Sequence, residues 1–429
     1  MRAHPVSGWA GAAGRRLVLR RIRRKGVDLS NFSFAFLPGT ARFPLQRTGT
    51  DPVPRLAEVR AADPVHRLQL PFDFPVHLVS DHALAREVLA DHEGYSNDIR
   101  HLFGASDTVS ADDVGGLGFT DPPLHTRLRR IVTPEFTRRR LLRLQPAIEE
   151  VVTRRLDALE AAGPGADLAR EVSFPVPFTT ICELLGLQYE DRDAFSRFGG
   201  QRFDATVGSA AFGAVSAQRQ VLLEAIVRQR KDPGAGLIGE IIRNEGDTIT
   251  DVDLAGLADG IFTGGYETTA GMISLGVIVL LRDPAHAELV RSGTPEQVDR
   301  VVEELLRYLS VVQVAFPRFA KRDTDLGGHR VRAGDAVLVS LSGANRDPAS
   351  AGADPDGFDP FRIPTSGHLA FGHGAHRCIG AELARMELRT VLPALLRRFP
   401  HLALAVPQEE LAFRRMSFVY GVGELPVTW

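Results

Sequence analysis

Residues Phe371 to Gly380 read FGHGAHRCIG and hold one of only two cysteines in a chain of 429 residues. Three glycines, two histidines and an arginine surround Cys378. Glycine at Gly372, Gly374 and Gly380 allows sharp turns and close approach of the backbone to another surface. A helical pattern follows from about 379 to 398, so Cys378 stands just before a helix N-terminus. Free N–H groups and partial positive charge there favour a thiolate, and His376 and Arg377 add to that character. The thiolate is then a nucleophile, a redox centre or a metal ligand. The other cysteine, Cys182 in TTICELLGL, lies on an apolar helix and reads as an ordinary core cysteine.

Bulk properties narrow the setting. The length supports a large core. A net charge of −2 gives no reason to expect a nucleic-acid or acidic partner. Two cysteines cannot build a disulfide framework, which favours a reducing, cytoplasmic setting. No apolar run reaches the roughly 18 residues of a transmembrane helix. Residues 1–27 carry seven arginines and Lys25 with no acid. Arg15-Arg16 hints at twin-arginine export, but LVLRRIRRK follows where an apolar run is needed, and export is rejected. A basic amphipathic helix over 11–25 would suit an anionic surface; the plainer reading is a solvated tail.

Most of the chain has helical periodicity. One pattern spans about 121–160, broken at Pro134; others span 174–188 and 212–243, the last broken at DPGAG. The longest covers 251–282, a rod of roughly 45 Å at about 1.5 Å per residue, apolar all round in its second half and therefore buried. TPEQVDRVVEELLRYL opens with a capping box, Thr294 and Gln297, around Pro295. Residues 311–342 alternate, carry Gly-Gly and Ala-Gly-Asp turns, and read as short strands and hairpins; 401–429 read as strands too. The expectation is a single mainly α domain with a smaller β portion.

A cysteine hydrolase needs a partnered base and an orienting third group, a pattern absent around Cys378. A zinc site needs about four Cys/His ligands. Haem iron needs one thiolate, because the porphyrin supplies the in-plane ligands. At every fixed position the stretch is similar to the ligand loop of the cytochrome P450 superfamily, Phe-Gly-x-Gly-x-His-x-Cys-x-Gly. The resemblance covers about 51–429. It implies the triangular, α-rich fold of that family, with haem between the long central helix and the cysteine loop and Cys378 as iron ligand. Residues 1–50 are set apart as a basic extension of unassigned role, and 51–429 as the catalytic domain.

Three further motifs carry the resemblance. Glu304-x-x-Arg307 shares one helical face, about 70 residues before the cysteine; the family uses this pair, with Arg362 as third member, to brace the loop. GGYETT, Gly264 to Thr269, places two glycines in a buried helix, each costing about 1 kcal/mol against alanine. Close helix packing is one reading. The other is that Gly264 and Gly265 leave room beside the cofactor and let the helix open. Glu267 and Thr268 are similar to the family's acid–alcohol pair, which relays protons to bound dioxygen. In DPPLHTRLRR, His125 and Arg129 share a face and suit two propionates; Arg318 and His376 match further propionate positions. Phe371 is expected to pack near the thiolate, and Gly372 and Gly380 to shape the cofactor loop.

The implied activity is that of a haem-thiolate monooxygenase: activation of O2 on haem b and insertion of one oxygen atom, by hydroxylation or epoxidation. The chain has no nucleotide fingerprint, so electrons are expected from NAD(P)H through an external ferredoxin and ferredoxin reductase. Arg127, Arg130, Arg138, Arg139, Arg140, Arg377 and Arg385 would form a basic docking face. The expected substrate is a small apolar molecule such as a polyketide, macrolide, peptide or terpenoid, in antibiotic or other secondary metabolism. The variable regions that line the pocket in the family hold Phe103, Phe119, Phe203, Phe212, Val311, Val312, Val314, Phe316, Met416, Phe418 and Val419. A monomer is expected. Competing readings are oxidative coupling or ring formation without oxygen insertion, a peroxide-driven enzyme, and a non-catalytic haem sensor or carrier.

Overall fold

A computed structural model describes residues 37–70, 74–102, 116–188, 192, 203–206 and 209–429, with side chains from 218 onward in the helix that begins at 209. The main helices are α1 (Arg55–Ala62), α2 (His82–Ala90), α3 (Leu124–Val132), α4 (Gln145–Ala162), α5 (Pro175–Leu185), α6 (Ser209–Lys231), α7 (Leu237–Glu245), α8 (Asp251–Leu280), α9 (Pro284–Ser292), α10 (Pro295–Leu309) and α11 (Ala381–Arg398). Thr250 caps α8 by accepting from the Asp253 N–H. The α8 segment from Thr269 to Leu280 is buried on every side, as its continuous apolar run demands. Helices α5, α6, α10 and α11 pack around it, which makes α8 the axis of the core.

The expected break in 121–160 is wider than one proline. Between α3 and α4 lie a 3-10 turn at Thr133–Phe136, a helical turn at Arg138–Leu141 and another 3-10 turn at Leu142–Leu144. A π-helical stretch, Ala169–Ser173, leads into α5, and no sequence period announces it. The capping box at Thr294 and Gln297 is present in both directions, with Pro295 in the first turn.

The principal sheet runs β1 (Val65–Leu68), β2 (Val76–Val79), β7 (Ala336–Val339), β4 (Arg318–Ala320) and β3 (Tyr95–Ser96), in that order. Within this sheet, among the described residues, only β2 and β7 pair in parallel, with Val76 opposite Ala336. β5 (Thr324–Leu326) and β6 (His329–Val331) form the hairpin expected at Gly327-Gly328, both at positive φ. The C-terminal expectation was too generous. Only β8 (Ala403–Leu404) and β9 (Val427–Thr428) pair as strands. Pro407, Pro426 and the left-handed Met416, at φ 57°, interrupt the ladder between them.

Part of the segment set apart as residues 1–50 packs on the body. Leu37, Ala41, Phe43, Leu45, Arg47 and Thr50 are buried in the body. The Arg47 guanidinium lies 4.5 Å from the centre of the Tyr420 ring and donates to the Leu309 carbonyl at 2.6 Å. The segment is apolar at alternate positions and belongs to the core, although it carries no family motif. The basic helix expected over 11–25 lies outside the described residues, as do Phe103 and the side chain of Phe212.

Candidate active site

The cysteine loop owes its shape to its glycines. Gly374 has φ 71°, and a Cβ there would fall 2.5 Å from the Leu89 carbonyl oxygen. Gly372 has φ 69° with open space around it. The Cys378 N–H donates to the Phe371 carbonyl at 2.8 Å, closing the loop on itself. Gly380 is the N-cap of α11, and its N–H supports the Cys378 sulfur. Burial nevertheless pushes the Cys378 thiol up, and outweighs Gly380, Arg129, Arg377 and Arg385, which pull it down. Cys378 has exposed surface although protein surrounds it on the scale that governs ionisation; a side chain lining an internal cleft has both properties.

Positive and neutral nitrogen donors converge nearby. His125, on α3, stacks against His376 with ring centroids 4.0 Å apart. Burial, then His125 and Arg318, press His376 down to about 3. Burial and Arg129 also lower His125. Arg318, on β4, is buried and drops to about 10 for the same reason; one of its nitrogens donates to the Phe316 carbonyl at 2.9 Å. The His125 Nε2 atom is buried with no hydrogen-bond partner. Four such donors in one place, one of them orphaned, fit an anionic ligand carrying more than one carboxylate.

Helix α8 presents Gly264 and Thr268 to open space. Nothing lies within 4 Å of a Cβ built on Gly264. Four residues on, the Thr268 hydroxyl donates to the Gly264 carbonyl, which leaves its lone pairs to accept. Gly265 is different. A Cβ there would lie 2.7 Å from the Ile181 Cδ1 of α5, so its smallness serves helix–helix packing. Neighbours on a helix point about 100° apart, and the two glycines cannot face one side. The α8 ladder is assigned as α-helix throughout Asp251–Leu280, without the expected opening.

Glu267 turns away from Thr268 for the same geometric reason. It is buried and accepts from Arg414 Nη1 at 3.1 Å. Arg414 also lies over the Phe174 ring at 4.9 Å. Arg414 was missed: it is 147 residues from its partner, and no local pattern links them. Glu387 was missed too, though a signal existed. It interrupts an apolar stripe at four-residue spacing, Leu383, Glu387, Val391, Leu395, all buried. Burial pushes its carboxyl up to about 8, with Thr180 and Thr269 pulling the other way, and Oε2 has no partner.

The brace expected at Glu304 is present in full. Arg307 donates twice to Glu304, both at 2.7 Å, and to the carbonyls of Asn345, Pro355 and Gly357. Arg362 reaches Glu304 at 3.3 Å. Of the arginines expected on a docking face, Arg127, Arg130, Arg138, Arg139 and Arg377 are exposed, and Arg127 donates to the Thr248 carbonyl. Arg140 pairs with Glu135, and Arg385 with Glu303 and Glu382, so these two are removed from it. Of the expected pocket lining, Phe119 and Phe316 pack at 4.6 Å, while Val311, Val314, Met416 and Val419 are buried in the core. A separate surface groove of about 490 Å³, lined by Arg138, Glu149, Glu382 and Arg389 among others, shares none of the residues around Cys378.

Comparison with known proteins agrees with this arrangement. The model of the family described as Cytochrome P450 matches residues 296–423. Cytochrome P450 165C4 of Amycolatopsis orientalis is 44% identical over 393 residues, 89% of this chain and 95% of the relative. Cytochrome P450 monooxygenase PikC of Streptomyces venezuelae is 38% identical over 388 residues, 90% of this chain and 92% of the relative. Among solved structures, OxyC, described as a cytochrome P450 implicated in an oxidative C–C coupling reaction during vancomycin biosynthesis, superposes with a TM-score of 0.80. That pair is 41% identical, covering 91% of this chain and 97% of the other.

Proposed function

The chain belongs to the cytochrome P450 family, and from that premise we propose that Cys378 holds haem iron and that the chain's own residues serve a monooxygenase reaction. The observation that carries this is the buried, partnerless His125 Nε2, set among Arg129, Arg318 and His376 beside the one cysteine with exposed surface. Haem b, when bound, supplies the activation of O2 and the transfer of one oxygen atom, as the thiolate ligand favours. His125, Arg129, Arg318 and His376 would hold its propionates. Gly264 leaves space on the α8 side, and Phe371, whose carbonyl accepts from the Cys378 N–H, would limit water at the sulfur. Metal binding would draw the proton from Cys378 that burial otherwise retains.

Proton delivery falls to α8. Thr268, with its own proton committed to the Gly264 carbonyl, can accept a hydrogen bond from water and orient it. Glu267 is held by Arg414 and reaches the site only when that pair opens, so Arg414 sets when the acid is available. Electrons would come from NAD(P)H through a ferredoxin and its reductase, steered by Arg130, Arg138, Arg139 and Arg377. The substrate class is an apolar secondary metabolite handled by a monomeric, cytoplasmic enzyme.

A second reading is oxidative coupling or ring formation without oxygen insertion, and the likeness to OxyC, implicated in an oxidative C–C coupling reaction, favours it. Product mass separates the two, since insertion adds one oxygen atom and coupling removes two hydrogens. The test of the site itself is the carbon monoxide difference spectrum of the dithionite-reduced protein. A strongly red-shifted Soret band in the wild type, lost in Cys378→Ala, is expected. The same band in Cys378→Ala would overturn the assignment.

A further inference from the structure

Glu303 and Glu304 are neighbours on α10 with different partners. Glu304 braces Arg307 and Arg362, whereas Glu303 reaches α11. Arg385 Nε and Nη2 donate to the two Glu303 oxygens at 2.5 and 2.9 Å, and Nη1 donates to Glu382 at 3.0 Å. His368 Nε2 lies 3.1 Å from the same Glu303. Burial raises the Glu303 carboxyl, and the bonds from Arg385 and His368 outweigh it and bring the group to about 2, so the pair stays ionised. The guanidinium held in this way lies 4.7 Å from the centre of the Phe371 ring, the residue whose carbonyl accepts from the Cys378 N–H. Arg385 takes no part in docking, because its side chain is largely buried.

We infer that Arg385, oriented by Glu303 and stacked on Phe371, is a positioning residue that tunes the reduction potential of the centre held by Cys378. The inference rests on the haem-thiolate reading above. One-electron reduction of ferric to ferrous haem makes the centre one charge more negative, with no bond formed or broken. A fixed cation close to the sulfur favours the reduced state, and a fixed anion disfavours it. Arg385 and Glu303 therefore act with opposite signs. A merely structural role for the pair predicts the same sign for the loss of either partner, since each loss breaks the same bridge.

The test is a dithionite redox titration of the substrate-free holoprotein, followed spectroscopically. In Arg385→Gln the potential should fall, by on the order of tenfold in the reduction equilibrium, or about 59 mV for one electron. In Glu303→Gln it should rise. Arg385→Lys retains the charge and should stay near the wild type, although the planar stack is lost. Shifts of equal sign in Arg385→Gln and Glu303→Gln, no shift in either, or an equal fall in Arg385→Lys would overturn the inference. Should Arg385→Gln fail to load haem, Glu303→Gln decides: a rise supports the inference, and an unchanged or lower potential sinks it. The carbon monoxide spectrum of the wild type tests thiolate ligation separately, so failure of that reading is distinguishable from failure of this one.

Discussion

At the scale of single residues, burial decides which ionisable groups carry charge. Glu387 shows this most clearly, because its folded carboxyl titrates at about 8, above its ordinary 4.5. Between those values the folded chain holds a proton that the unfolded chain has released. This stability contribution is complete below the unfolded value, declines as pH rises, and is lost as pH passes about 8. Glu387→Gln removes the proton uptake while preserving shape. Its stability should match the wild type near pH 4 and gain by about 1.4 kcal/mol per pH unit up to about pH 8. Urea unfolding across that range measures the difference; parallel curves for the two proteins would count against a neutral carboxyl. The same desolvation raises the Cys378 thiol, an effect that the neighbouring arginines and helix end do not reveal in the sequence.

At the scale of elements, α8 shows how adjacent identical residues take different roles. Gly264 faces open space, and Gly265 faces Ile181 of α5. Alanine in place of glycine gains up to about 1 kcal/mol in a helix interior when nothing opposes it. Gly264→Ala should therefore stabilise the haem-free protein by a few tenths to about 1 kcal/mol. Gly265→Ala must displace the Ile181 Cδ1 and should gain nothing or lose stability. Thermal unfolding of the two variants gives the order, and a reversed order would mean that the helix faces are misassigned. The helix period identified α8, but the phase of two neighbouring glycines depends on what packs on each side.

At the scale of the whole molecule, the segment from Leu37 to Thr50 ties the chain's early part to its end. Phe43 and Leu45 are buried, and Arg47 joins Leu309 and Tyr420. Burying each large apolar side chain contributes about 1.5–3 kcal/mol, against a net stability of roughly 5–15 kcal/mol for a folded protein. A chain that starts at residue 51 should lose most of its margin and fail to accumulate as folded haem protein. Removal of residues 1–27 should leave haem loading and thermal stability unchanged. The two truncations, compared by melting temperature and carbon monoxide spectrum, would place the boundary. Equal behaviour of both would keep it at residue 50.

Much of this molecule is written locally. FGHGAHRCIG, the capped α10 with Glu304 and Arg307, the His125–Arg129 face and the long apolar α8 are short-range patterns, each contained in one loop or one helix. They sufficed for the family, the helical architecture and the brace. Other features came from distant chain segments. Arg414 meets Glu267 across 147 residues, Arg385 meets Glu303 across 82, and Arg47 meets Leu309 across 262. Sequence by itself determined the composition of the site, because turns, caps and helical faces are short-range. Tertiary structure alone decided which carboxylate faces which guanidinium and which sulfur is desolvated, because burial and ion pairing are properties of the packed whole.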